Sequence, residues 1–224
     1  MTAIVQTEFF ANTGVVCGVL PFVPPLHSTD RQSRRAATEV RFRAGRRLTA
    51  EVLAQLGAGR CDVAQNADRS PAWPRGFIGS ISHSDGFVYA AAARRADVRG
   101  VGIDVESVMS PQAAGEIASL CFNAAEASLM QRADALPRPT LTACFSAKEA
   151  LFKCLYPIAR RMFDFTDAEV VGFDSAAGSF SLRLLTDLSD EFRAGLTFRG
   201  KHLWAGEQVF TAVILLPTAD SRCR

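Results

Sequence analysis

A mixed fold of helices and strands is predicted by three features of the chain. Apolar residues recur at three- and four-residue steps between Asp30 and Leu56, as in one long amphipathic helix. Alternating or continuously apolar runs at about 78–82, 87–93 and 99–106, and again at roughly 168–174, 179–186 and 207–216, have the period and length of strands. Between these two groups, residues 113–133 and the segment around Glu149 favour helix.

Taken in order, an extended N-terminal region leads to Asp30, a cap for a helix that runs to about Leu56. Its buried stripe is Ala37, Val40, Ala44, Leu48, Val52 and Leu56, and Gly57-Ala58-Gly59 stops it. Residues Arg60 to Gly76 read as loop, rich in Asp, Asn, Pro and Arg. Of the next three strands, the last two are joined by a polar turn at Ala96-Asp97. Along the third, Val101, Ile103 and Val105 point to a core while Asp104 and Glu106 share the opposite face. Pro137 and Pro139 break the chain before the helix that carries Glu149, and that helix ends near Pro157. Ser179 to Leu184 alternates like a half-buried strand, and Glu207 to Leu216 is continuously apolar like a central one, around less regular segments.

With 224 residues and 48% hydrophobic content, the chain can bury a sizeable core. A net charge of +2 is too small to imply nucleic-acid binding. Seven arginines, Arg31, Arg34, Arg35, Arg41, Arg43, Arg46 and Arg47, nevertheless crowd the first helix; they form either a solvated face or an attractor for a phosphorylated nucleotide or acidic protein. The six cysteines have no paired spacing, which argues against a zinc site or a disulfide framework. The apolar stretch from Gly14 to Leu26 is interrupted by Pro21, Pro24 and Pro25, so neither a signal peptide nor a membrane span is expected, and a reducing cytoplasm is the simplest location.

Two segments carry the chemistry. Gly102-Ile103-Asp104-Val105-Glu106 sets two hard oxygen ligands side by side, and Phe145 to Lys153 adds Glu149 and Lys153, which meet on one helix face. Three carboxylates and an ammonium suit a divalent cation on a pyrophosphate, because Mg²⁺ favours a few carboxylates completed by water and substrate phosphates. Asp104 and Glu106 also fit the solvated face of an edge strand. Ser146 and Glu149 fit a capping box, and Glu149 with Lys153 an ordinary helix pair. A third segment runs from Trp73-Pro74 through Gly79-Ser80-Ile81-Ser82-His83-Ser84. There backbone amides, hydroxyls and an imidazole could face a phosphate, or His83 could be a satisfied structural residue.

In this order and at these separations, with Phe42-Arg43-Ala44-Gly45-Arg46 upstream and Tyr156-Pro157 closing the helix, the segments resemble the monomeric 4′-phosphopantetheinyl transferases that activate siderophore, peptide and polyketide synthases. The likeness covers about residues 30 to 216, and its Trp73-Pro74 and Gly79-to-His83 segments look like the enterobactin-synthase-activating branch. It implies an α+β fold of two similar α/β halves with pseudo-twofold symmetry and the active site between them, residues 1–106 forming the first half and 107–224 the second. It implies transfer of the 4′-phosphopantetheine of coenzyme A to a serine of an apo acyl- or peptidyl-carrier protein, releasing adenosine 3′,5′-bisphosphate. The metal, Mg²⁺ or Mn²⁺, falls to Asp104, Glu106 and Glu149. The catalytic group is Glu149, Lys153 and His83, and the coenzyme A contacts are Arg46, Arg41, Ser82, His83, Lys153 and Arg69. Arg35 is a weaker upstream choice. Asp68 stands where relatives often carry a basic residue, with Arg69 as the neighbouring substitute. Carrier docking is assigned to Ala113–Ala133, where Leu120, Phe122, Leu129, Met130 and Arg132 form either an apolar patch rimmed by positive charge or core packing. Two alternatives use the same residues: a metal-dependent phosphodiesterase or hydrolase acting on coenzyme A or a holo-carrier protein, and a catalytically silent binding module.

Overall fold

Two antiparallel sheets lie face to face, each with one long helix on its outer side. The structure, a computed structural model, describes residues 3–4, 10–21, 31–59, 61–84, 86–126 and 138–217, the side chains of 3–4 and 31–37 excepted. The first sheet contains β1 (Ala3–Ile4), β2 (Val16–Pro21), β5 (Phe77–His83) and β6 (Phe87–Arg94), in the order β1-β2-β6-β5. The second contains β7 (Gly100–Ser107), β8 (Ala168–Asp174), β9 (Ser179–Leu184), β10 (Thr197–Ala205) and β11 (Gln208–Leu215), in the order β7-β11-β10-β9-β8. The helices are α1 (Arg31–Gln55), α2 (Pro111–Cys121) and α3 (Arg138–Ala159). A short hairpin of β3 (Ala64–Gln65) and β4 (Pro71–Ala72) lies within the stretch expected to be loop.

Strand β6 explains the layering. Its Phe-Val-Tyr-Ala-Ala-Ala-Ala run is buried on both faces, as expected of a strand covered from both sides. Val88, Ala90 and Ala92 meet Leu48, Val52 and Leu53 of α1. The alternate residues Tyr89, Ala91 and Ala93 meet Val101, Ile103 and Val105 of β7 and Phe210 and Ala212 of β11. Strand β7 repeats the arrangement one layer on, since Gly102 and Asp104 face α3. The expectation that Asp104 lies on a face away from the core is therefore corrected: it is only 2% exposed, because that face is covered by a helix.

Other differences have similarly local causes. The α1 stripe is buried from Leu48 onward, but Val40 is 46% exposed because the upstream part of α1 flanks a cleft instead of the sheet. The Glu149 helix starts at Arg138, with Pro139 tolerated in its first turn, and continues past Pro157 to Ala159. Ser146 is mid-helix and caps nothing. Helix α2 is capped by Ser110, whose hydroxyl accepts from the Ala113 amide, and it ends at Cys121; residues 124–126 are again helical. Strand β7 hydrogen-bonds along its whole length to β11 of the second sheet.

Lys148 and Glu126 form an ion pair of 2.8 Å with both side chains almost fully buried. Lys148 also donates to the carbonyls of Cys121 and Phe165 and lies 4.6 Å from the Phe122 ring centre, while Glu126 accepts from the amides of Asn123 and Val170. This knot ties α3 to the chain on either side of it, and it makes Phe122 core, at 5% exposure, instead of docking surface. Leu120 is 70% exposed. Leu129, Met130 and Arg132 lie outside the described residues.

Gly102 is where β7 touches α3. A Cβ there would stand 1.9 Å from the Ala150 carbonyl oxygen and 2.5 Å from the Cys154 nitrogen, both backbone atoms that cannot turn aside. Gly102→Ala should lower stability by about 3 kcal/mol, at the upper end of the overpacking range, as read from the urea unfolding midpoint. A parental midpoint would mean that α3 is free to move off the sheet.

Candidate active site

Asp104 carries a buried charge and shares it among three elements. Its Oδ1 accepts from the Ser82 hydroxyl of β5 at 2.6 Å and from the Lys153 ammonium of α3 at 2.6 Å; its Oδ2 accepts from the Ser146 hydroxyl of α3 at 2.7 Å. A buried carboxylate is tolerable only with such partners. Ser146 also lies 2.8 Å from the Thr211 hydroxyl of β11, so its place is fixed from below.

Lys153 completes the cluster. Its ammonium donates to Ser82 Oγ at 3.1 Å and stands 3.7 Å from Glu149. Burial works against its charge, but Asp104, Glu149 and Glu106 outweigh that and hold its pKa above the usual lysine value. Glu149 is shifted upward chiefly by burial, with Lys153 opposing and Asp104 reinforcing the rise.

The serine hydroxyls around His83 are directed differently from the expectation that they face a phosphate. Ser80, Ser82 and Ser84 are buried at alternate positions on one face, and each crosses to the second sheet. Ser80 Oγ accepts from the Ile103 amide at 3.2 Å, Ser82 donates to Asp104, and Ser84 donates to Gln208 Oε1 at 3.2 Å. His83, on the other face, is exposed.

Two cavities sharing Arg41 and His83 flank this seam. The larger, about 610 Å³, lies among α1, the β3–β4 hairpin, β5 and the end of α3; the smaller, about 330 Å³, lies at the ends of β5 and β7 and includes Glu106. Arg41, Arg46, Arg69, Arg95, Arg99, Arg160 and Lys153 line the larger against one carboxylate, Asp68, so the cleft is built for an anion. Arg46 is the most telling of these. Its guanidinium stacks 4.7 Å over Phe42, one of its nitrogens is buried with no hydrogen-bond partner, and burial lowers its pKa. A buried donor without a protein acceptor calls for an explanation, since nearly all such groups are paired.

Asp68 is the rim of the cleft. It accepts from the Ser70 amide and hydroxyl, from Tyr156 Oη at 2.9 Å and from Arg160 at 3.4 Å, fastening the hairpin to the end of α3. Arg69 beside it adopts a left-handed backbone with φ of 67°. Sequence reading missed Tyr156 and Arg160 as partners because contacts 88 and 92 residues apart leave no local pattern.

The predicted residues thus divide. Asp104, Ser82, Lys153 and Glu149 come together; Glu106, His83 and Arg41 meet at the smaller cavity; Arg46, Arg41 and Arg69 line the larger. The side chain of Arg35 is outside the described set. Among the described residues no three His, Cys, Asp or Glu side chains stand close enough to form a ready-made metal centre. The place beside Asp104 is taken by the Lys153 ammonium.

The profile of the 4′-phosphopantetheinyl transferase N-terminal domain matches residues 30–93, and that of the 4′-phosphopantetheinyl transferase superfamily matches residues 100–212. The 4′-phosphopantetheinyl transferase Npt of Nocardia iowensis is 31% identical over 170 residues, covering 72% of this chain and 75% of that protein. The 4′-phosphopantetheinyl transferase PptT of Mycobacterium tuberculosis is 34% identical over 176 residues, 73% of each chain. Enterobactin synthase component D of Salmonella typhi is 34% identical over 178 residues, covering 76% of this chain and 69% of that protein. The chain belongs to the 4′-phosphopantetheinyl transferase superfamily.

Lys153→Met should lower stability at pH 7 by about 2 kcal/mol, less than for a fully buried pair because Lys153 is 26% exposed. A lysine whose folded pKa is raised stabilises the fold below its unfolded value near 10.5 and loses that contribution as pH rises through the folded value. The gap between variant and parent should therefore close in alkaline solution, as read from thermal midpoints against pH. A gap unchanged up to alkaline pH would deny the ammonium its role as counter-ion.

Proposed function

We propose that this superfamily member transfers the phosphopantetheine of coenzyme A to a serine of an acyl- or peptidyl-carrier domain, in siderophore, nonribosomal peptide or polyketide synthesis. The transferase activity follows from the family; the residue roles and partners are our reading. The observation that carries it is the buried Arg46 nitrogen without a hydrogen-bond partner in a cationic cleft, whose lining includes Lys153, paired with Asp104 and 3.7 Å from Glu149. Family membership favours transfer over the hydrolase alternative.

In this reading the serine oxygen forms a bond to phosphorus, the pyrophosphate P–O bond breaks, and adenosine 3′,5′-bisphosphate leaves. Glu149, raised in pKa by burial, accepts the serine proton. Lys153 turns part of its charge from Asp104 to the leaving phosphate. Arg46, Arg41, Arg69 and His83 hold the phosphates and orient them, and the planar guanidinium of Arg46 suits two oxygens at once. Ser82 keeps Asp104 and Lys153 in place. Asp104, Glu106 and Glu149 supply the hard oxygens that would hold Mg²⁺ or Mn²⁺, which when bound neutralises pyrophosphate charge.

No described helix is long and apolar enough to cross a membrane, and five described cysteines are free. We place the reaction in the cytoplasm, performed by a monomer.

The decisive experiment incubates the protein with coenzyme A, Mg²⁺ and a panel of purified apo-carrier domains and reads intact masses. A gain of one phosphopantetheine on at least one domain is expected; bisphosphate released without a carrier would favour hydrolysis instead. Asp104→Ala and Glu149→Ala should each reduce transfer on the order of a hundredfold or more. With Glu149 as base, the rate should rise with pH along an acid limb centred above 4.5, and that limb should vanish in Glu149→Gln.

Arg46→Ala should raise the KM for coenzyme A with kcat nearly kept. Losing a charge-assisted contact to one phosphate predicts roughly a tenfold rise. Repeating the measurement with a cofactor lacking the 3′-phosphate identifies the group: an equal penalty on both cofactors would assign Arg46 to the pyrophosphate.

A further inference from the structure

Gln208 opens β11 and is not charged, nucleophilic or in any motif. Its side-chain carbonyl accepts from the Ser84 hydroxyl at 3.2 Å and from the Ser107 hydroxyl at 3.1 Å. Ser84 directly follows His83, and Ser107 directly follows Glu106. His83, Ser84, Glu106 and Ser107 all line the smaller cavity. One amide oxygen therefore joins the residues next to the two polar groups that face each other there.

The bond to Ser84 also crosses between sheets. Strands β5 and β7 are both edge strands and share no backbone ladder, so the distance between them is set by side chains. Three serines make those crossings, and the Ser84–Gln208 rung lies furthest along, where β5 ends. With Ser84 buried and held inward, strand alternation turns His83 outward. A glutamine suits this place. Its carbonyl has two lone pairs, enough for two hydroxyls.

We propose that Gln208 is a positioning residue for the transfer reaction: by holding Ser84 and Ser107 on one oxygen, it fixes the spacing of His83 and Glu106 across the smaller cavity. The assignment rests on the transferase reading for its catalytic consequence but not for its geometry. Displacing reacting groups by about 1 Å can cost up to a hundredfold in rate, so a bridge that touches no substrate still bears on turnover.

The test compares Gln208→Met, which keeps length and removes the acceptor, with Gln208→Glu, which keeps acceptor oxygens. In Gln208→Met, kcat should fall on the order of tenfold while the KM for coenzyme A, set in the larger cleft, stays near parental. The imidazole ¹H–¹⁵N resonances of His83 in the ligand-free protein should shift, and Gln208→Glu should bring both kcat and those resonances back towards the parent. Parental kcat with unshifted His83 in Gln208→Met would overturn the proposal, as would a loss of kcat that Gln208→Glu does not relieve. If Gln208→Met fails to fold, Ser84→Ala removes the inter-sheet rung alone and is read by the same two measures. A parent protein that transfers to no carrier would sink the transferase reading, while the His83 resonances would still decide whether Gln208 sets the geometry.

Discussion

The buried carboxylate of Asp104 is the constraint around which the rest is arranged. An ionised group at 2% exposure needs compensation from every side, and here it comes from Ser82 of the first sheet and from Ser146 and Lys153 of α3. Each partner is itself tied: Ser146 to Thr211, Lys153 to Glu149, Ser82 to Lys153. Because the partners come from separate elements, the charge is satisfied only when both sheets and α3 are docked. Local folding of either half alone would leave it exposed to water or unpaired. The site is thus also a registration point for the fold.

The edges of the sheets serve the same end. An unpaired strand edge ordinarily invites pairing with another chain. Strand β5 sets a row of serine side chains against the free edge of β7 and satisfies part of it, as Ser80 does for the Ile103 amide. A backbone ladder here would have closed the gap to the spacing of a continuous sheet. Side-chain rungs keep the strands apart and leave room on either flank of the seam for the two cavities.

What the sequence made legible follows from how local each signal is. Strands β5, β6, β7, β8, β9 and β11 are readable because both period and flanking turns lie within a few residues, and Glu149, Lys153 and Asp104 because their segments occur together in one order. Strand β10 was passed over since two of its inward positions are Gly200 and His202, which give no apolar alternation. Gly200 is required there by the Phe180 ring, which leaves no space for a Cβ, and His202 is buried against Phe173. The burial of Asp104 was not legible either, since it depends on α3 covering a face that the pentapeptide alone presents as polar. The buried Lys148–Glu126 pair was hidden for a similar reason: a lysine beside Glu149 in a helix reads as a solvated residue until the packing around it is known.

Lys153 meets two demands that pull in different directions. As the counter-ion of Asp104 it must stay against a buried charge, and for the phosphate contact proposed above it must also face the cleft, where it is a quarter exposed. The flexible four-carbon stem and point charge of lysine let one ammonium serve both, whereas the broad planar fork of arginine would commit to one partner. When an anion enters the cleft, part of the ammonium's field moves from Asp104 to the phosphate. In the transfer reaction proposed above, a divalent cation arriving with the phosphate would restore the balance at Asp104, which is buried at 2% exposure and held by Ser82 and Ser146 as well as by Lys153.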